Sequence, residues 1–407
     1  MEPHLGMLCT AWPHPRDPVA GCFVRAMARA LARRGNRVTV VCPWSPGEEP
    51  LPEPGVRVVP VPYRPARTFY GPGAPERLRA SPAAWLGAGA FALGALGASA
   101  RAFERCDALV SHFALPSAPI AGLVRAGRPH LAVVHGTDGW LLQRLPAPLR
   151  ALCFHGATHV QVTHRGLLPA VPGTLPVTVR PMGFDPVPQP VAHGPRDTVT
   201  ALAVGRLVPV KGVGHTVEAV LSLRARGLPL RLVVLGDGPE RPHLEALRAR
   251  DPEGVSLLGA VSPETRDHWL QRSDLLLHHA LALPDGRSEG APVAILEALG
   301  AGLAVLATDS GGVRELLGDA GVVARSPEDF QAALETLVND FQKRSTLGQC
   351  GLSRASGHTW EATAGWLEGV LLGGDRSCSA VGRRLEGCGN EPPPGLRREP
   401  PGPRAGA

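Results

Sequence analysis

Short runs of β-branched and aliphatic residues alternate with longer Ala/Leu/Arg-rich segments of helical spacing, and the alternation runs through this chain twice. Such a pattern predicts repeated βα units around parallel sheets. In the first half the expected strands are residues 5–10, 37–42, 56–61, 108–112, 130–135, 159–163 and 177–180. In the second half they are residues 199–204, 230–235, 255–258, 275–279, 303–308 and 321–324. Residues 186–195 between them are proline-rich and lack either period, which reads as a linker between two doubly wound domains, 1–190 and 191–357. Residues 358–372 read as a last amphipathic helix, and residues 373–407, with 14 Gly or Pro in 35, read as a disordered tail. Open α/β sheets bind ligands outside the carboxyl ends of their strands, so two facing sheets imply a shared cleft.

Composition agrees with this division. At 407 residues the chain is too long for one comfortable core, and an apolar fraction of 44% supports globular folding. The net charge of +6 is modest and the basic residues are scattered, so no nucleic-acid partner is expected. Eight cysteines, at 9, 22, 42, 106, 153, 350, 378 and 388, show no metal-like spacing and read as reduced thiols. The first residues lack a signal peptide's basic and apolar regions, so the expected location is cytoplasmic. Residues 83–100 form an apolar Ala/Gly-rich stretch bounded by Arg77, Arg79 and Arg101. It reads first as a buried or groove-lining helix, second as a helix lying on a membrane surface, and last as a span. Arginine outnumbers lysine 40 to 2, which singles out any lysine in a loop of special composition.

The most specific stretch is residues 288–299, where Glu289 and Glu297 are separated by seven residues around an expected helix start. Pro292 suits the first helical turn, Gly290 permits close approach, and a helix N-terminus attracts anions. The geometry suggests an anionic ligand flanked by two acids that accept hydroxyl hydrogen bonds. Glu297, among Ile295, Leu296, Ala298 and Leu299, needs a partner. Residues 205–212 place Arg206 and Lys211 in one glycine-bordered loop after a strand, a better anion site than a solvated basic turn. Glycine turns follow at Gly236–Gly238 and Gly311–Gly312.

Taken together, this order of motifs resembles the retaining glycosyltransferases of the GT-B fold, specifically the nucleotide-sugar-dependent family 4 group. The resemblance implies two Rossmann-like domains, the N-terminal one on the acceptor side and completed by the helix at 358–372. It implies that Arg206 and Lys211 bind the donor diphosphate and stabilise the leaving nucleotide. Glu289, beside the N–H groups of Gly290 and Ala291, would bind hydroxyls of the transferred sugar, Glu297 would hold the ribose, and Gly21, Gly236 and Gly238 would line the donor. Residues 133–138 resemble the family's His-Gly-x-Asp element, which puts His135 near the sugar and Asp138 near the acceptor hydroxyl. His112 lies in a further family-like element, where it shapes the cleft. Two positions depart from the pattern: only Gly21 remains of a usual glycine pair, and Met182 replaces the asparagine of the hinge segment.

No Asp-x-Asp pair occurs in the chain, so neither a metal nor another cofactor is expected. The implied reaction moves a hexose from a nucleoside diphosphate sugar to an acceptor hydroxyl with retention, and peripheral membrane contact through 83–100 is possible. A nucleotide-sugar 2-epimerase of the same architecture and an inactive nucleotide-sugar-binding protein are the alternatives.

Overall fold

The computed structural model describes residues 2–15, 17–44, 49–64, 68–69, 77–78, 81–187, 194–283 and 288–373. Most of the expected linker and nearly all of the expected tail lie outside the described residues. Each of the thirteen expected strands forms, with no end more than two residues from its expected place. The first seven are β1 (His4–Leu8), β2 (Arg37–Trp44), β3 (Val56–Pro62), β4 (Ala108–His112), β5 (His130–Val134), β6 (His159–Val162) and β7 (Val177–Val179). They build one parallel sheet in the order β3-β2-β1-β4-β5-β6-β7. The remaining six are β8 (Val199–Val204), β9 (Leu230–Leu235), β10 (Val255–Leu257), β11 (Leu275–His278), β12 (Ala304–Thr308) and β13 (Val322–Ala324). They build a second parallel sheet in the order β10-β9-β8-β11-β12-β13.

Central strands such as β4, β5 and β8 are buried along nearly their whole length because helices cover both faces of each sheet. In the first half the helices are α1 (Cys22–Arg33), α2 (Pro82–Ala102), α3 (Ala114–Val124), α4 (Gly136–Leu142) and α5 (Ala147–Cys153). In the second half they are α6 (Val213–Ala225), α7 (Arg241–Arg248), α8 (Pro263–Arg272), α9 (Val293–Gly300), α10 (Val313–Leu317), α11 (Pro327–Asn339), α12 (Phe341–Ala355) and α13 (Trp360–Leu372). The last helix returns to the first sheet, where Trp360, Ala364, Leu367 and Leu371 share a core with Met27 and Leu31 of α1.

The chain crosses between the sheets twice, and the two crossings are bonded to each other. Phe184 N–H donates to His358 O at 3.2 Å and Trp360 N–H donates to Phe184 O at 3.0 Å. Met182 packs into the first core while Phe184 packs into the second. Methionine at this hinge therefore acts through apolar burial, and the hydrogen bonds come from the backbone. A Cβ on Gly183 would lie 2.5 Å from the Trp360 ring, so glycine is needed for this close approach.

In each sheet the strand order reverses once, between β1 and β4 and between β8 and β11. Helices leaving strands on either side of such a point diverge to opposite faces and leave a crevice at the carboxyl edge. The residues singled out in the sequence gather at these two crevices.

Candidate active site

After β8 the chain runs through Gly205 and Arg206 into a 3-10 turn at Pro209–Lys211, and Gly212, at φ +54, turns it into α6. A Cβ on Gly212 would stand 2.0 Å from His279 O, so this loop lies directly against the end of β11. The Lys211 stem passes over Gly205, and its Nζ lies 2.6 Å from Glu289 Oε2. Glu289 comes from the loop before α9, where Pro292 occupies the N-cap position one residue ahead of the helix. His278, ending β11, brings its Nε2 within 3.9 Å of the same carboxylate oxygen.

Burial pushes the Glu289 carboxyl upward, but Lys211, His278 and the Gly290 N–H outweigh it and hold the group below the usual carboxylate range. Burial, aided by Lys211, drives His278 down to about 4, so its imidazole is neutral near pH 7. Two of the expected ligand-binding groups are thus paired with each other. Arg206 is exposed in the same loop, and its guanidinium makes no ion pair or hydrogen bond with any described residue. Gly236 and Gly238 line the neighbouring loop after β9. Cβ atoms there would lie 1.8 Å from Gly205 O and 2.4 Å from Leu207 O, so these glycines first serve to let the two loops pack.

Glu297, on α9, finds its partner in Arg266 of α8, with Oε1 and Nη1 2.8 Å apart. Burial raises the Glu297 carboxyl to about 7, Asp267 and Asp185 add to the rise, and Arg266 opposes it. Cys22, at the start of α1 in the first half, feels the charges of both Glu297 and Arg266, which places the α1 N-terminus across from this pair. Gly21 is the α1 N-cap at φ +67. Its close approach is to the chain itself, since a Cβ would stand 2.2 Å from Ala11 O.

At the crevice of the first sheet, His112 ends β4 and His135 follows β5. Their rings stack with centroids 5.6 Å apart, and His112 Nδ1 lies 3.3 Å from His135 Nε2, one of the two donating. Phe23 and Phe113 close around His135 at 4.8 and 4.6 Å between ring centroids. Phe113 is held at φ +64, a costly value for an aromatic residue and a mark of strain beside His135. Burial lowers both imidazoles, His135 to about 3, so both are neutral.

Asp138, expected near the acceptor hydroxyl, is bonded to backbone. Its Oδ1 accepts from His135 N–H at 2.8 Å and its Oδ2 from Ala114 N–H at 2.6 Å. Both oxygens are spent on backbone, tying the start of α4 to the start of α3. Burial raises this carboxyl to about 7 against the pull of those N–H groups.

Three participants had no marking in the sequence reading. Arg266 sits in an ordinary polar helix pattern, and nothing local points to Glu297. Phe23 reads as routine amphipathic helix. His164 lies two residues past β6, a strand-end position that could have drawn attention. It packs against the second half, 3.6 Å from where a Gly290 Cβ would stand. Beside it Arg165 pairs with Glu315 at 3.1 Å. A cavity of about 150 Å³ lies between the halves here, lined by His164, Ala291, Gly312, Arg354 and His358 among others.

With this geometry in place, the family description "Glycosyltransferase Family 4" matches residues 20–168, and "Glycosyl transferases group 1" matches residues 198–340. An alpha-D-kanosaminyltransferase of Streptomyces kanamyceticus is 33% identical over 164 residues, which is 39% of this chain and 41% of that protein. The first relatives are thus matched over less than half of their length. A phosphatidyl-myo-inositol mannosyltransferase of Mycolicibacterium smegmatis is 27% identical over 88% of this chain and 91% of its own. Among solved structures, Anabaena HepE in complex with UDP superposes with a TM-score of 0.63 at 16% identity, covering 92% of this chain and 100% of that one.

Proposed function

Because the chain belongs to family 4 of the glycosyltransferases and has the GT-B fold, we propose that it moves a hexose from a nucleoside diphosphate sugar to an acceptor hydroxyl with the anomeric configuration retained. The observation that carries this reading is the Lys211–Glu289 pair at the second sheet's switch point, with Arg206, unpaired among the described residues, in the same loop. A diphosphate entering the crevice competes with Glu289 for Lys211 and is gripped bidentately by Arg206. Glu289, released from Lys211, accepts hydrogen bonds from sugar hydroxyls beside the N–H groups of Gly290 and Ala291. Glu297, oriented by Arg266, takes the ribose.

As the bond to the sugar breaks, negative charge grows on the leaving diphosphate, where Arg206, Lys211 and the α9 N-terminus are already placed. No metal ion or other cofactor is assigned a part. His135, neutral and boxed by Phe23 and Phe113, presents an uncharged polar edge to the sugar. Asp138 acts as a positioning residue that fixes where His135 stands. Closure of the two halves excludes water and suppresses hydrolysis of the donor. The UDP bound by HepE supports a nucleoside diphosphate as the shared ligand element. The acceptor is a hydroxyl of a glycan, a lipid-linked intermediate or a small molecule.

A thermal-shift screen with UDP, GDP, ADP and dTDP sugars tests the donor site. One of them raises the melting temperature of the intact protein, and Lys211→Ala removes most of that shift. A chain that none of them stabilises refutes the reading. Product analysis then separates the chemistries: free nucleoside diphosphate with a retained glycoside is expected, whereas an epimerised nucleotide sugar without free nucleotide contradicts transfer.

A further inference from the structure

Charge is divided unevenly along this chain. Residues 1–187 contain 19 arginines and 10 acidic residues, whereas residues 194–373 contain 17 basic and 22 acidic ones. Exposed apolar surface follows the same division: of the ten exposed large apolar side chains among the described residues, nine belong to the first half. Six of those nine lie on one layer of helices. Helix α2 packs on β2 and β3 and beside α3, which in turn packs against α5.

Ala84, Gly87, Phe91, Ala95 and Ser99 form the buried stripe of α2, the period expected of a helix lying on a sheet. The outward side is also apolar. Leu86 is 70% exposed, Leu93 76% and Trp85 63%. At 1.5 Å per residue this helix is about 32 Å long, long and apolar enough to cross a membrane. Its buried stripe belongs to the domain core, so it lies along the sheet instead. Leu123 near the end of α3 and Leu149 and Leu152 on α5 extend the exposed apolar area to the neighbouring helices. None of α2, α3 and α5 contains a carboxylate, while Arg101 and Arg150 lie within them and Arg125 directly follows α3.

We propose that this face of the first half, led by α2, docks on an anionic lipid surface. Leu86, Leu93 and Trp85 enter the boundary between headgroups and acyl chains, and the arginines meet lipid phosphates. A long apolar helix side without carboxylates, on a half with nearly twice as many basic as acidic residues, fits such a surface better than it fits water. This inference goes beyond the transferase reading, and its test is independent of turnover.

The test floats the full chain with phosphatidylcholine vesicles and with vesicles of phosphatidylcholine and phosphatidylglycerol at about 70:30, at low and high salt. Wild type floats with the anionic vesicles, less with the neutral ones, and less at high salt. Leu86→Glu with Leu93→Glu lowers anionic-vesicle binding about ten-fold or more, with melting temperature and nucleotide-induced shift unchanged. Quenching by brominated lipid gives a second readout, which Trp85→Phe diminishes. Lys211→Ala floats like wild type, so loss of the donor site and loss of docking are separable. Wild type that stays in solution, or a double variant that floats equally well, overturns the proposal. So does a wild-type dimer that the double variant dissociates without any vesicle binding, since a second copy would then cover this face.

Discussion

Lys211 and Glu289 hold each other 2.6 Å apart at the crevice of the second sheet, so each fixes the other's position and offsets its charge. Removing the lysine therefore has two effects, loss of a cation for the diphosphate and an unpaired carboxylate left behind. Lys211→Ala is expected to weaken nucleoside diphosphate binding by about 1.5–3 kcal/mol, the range for hydrogen bonds to charged groups, as read by titration calorimetry. Glu297 offers a pH signature. Its folded-state value, about 7, lies above its ordinary 4.5, so between those values the folded chain holds a proton that the unfolded chain has released. Its contribution to stability therefore declines as pH rises from about 4.5 to 7 and levels off above that. Glu297→Gln should flatten that part of the stability profile measured by urea unfolding, and an unchanged profile would contradict the buried titration. Lys211 was legible in the sequence because lysine is so rare here. Arg266, on a different βα unit from its partner, was not, since no local period links two helices on different units.

At the scale of elements, glycines and one carboxylate decide how loops meet. Gly236→Ala places a Cβ 1.8 Å from Gly205 O, so the loops after β8 and β9 have to separate. A destabilisation of about 1–3 kcal/mol is expected, together with loss of the nucleotide-induced thermal shift. A substitution that leaves both unchanged would show that the loops do not need this contact. Asp138→Asn keeps the shape but loses an acceptor for either His135 N–H or Ala114 N–H. About 1–3 kcal/mol of stability should go with it, and kcat should fall more than KM rises if the residue works by fixing His135. The strands were legible to within two residues because buried parallel strands are short, continuous apolar runs. The jobs of Gly21 and Asp138 were not, because a turn glycine or a loop aspartate looks the same whether it faces a ligand or its own backbone.

At the scale of the whole molecule, two sheets are joined by paired crossings at Phe184 and Trp360 and touch again where Arg165 meets Glu315. Closure about that hinge is expected to reduce the radius of gyration measured by small-angle scattering when the stabilising nucleotide sugar is added. Arg165→Glu, which replaces the ion pair with repulsion, should reduce that change, and equal scattering with and without nucleotide would contradict closure. The sequence by itself determined the βα alternation, the two sheets and the two charged loops, because hydrophobic period, glycine placement and residue type are local properties. Only the tertiary structure decided that Lys211 is paired with Glu289, that Arg266 orients Glu297, that Asp138 binds backbone, and that α2 keeps one apolar side in the core and another in solvent. Those facts depend on which strand ends the switch points bring together and which helix faces the sheets cover, and such contacts between distant segments leave no local trace in the chain.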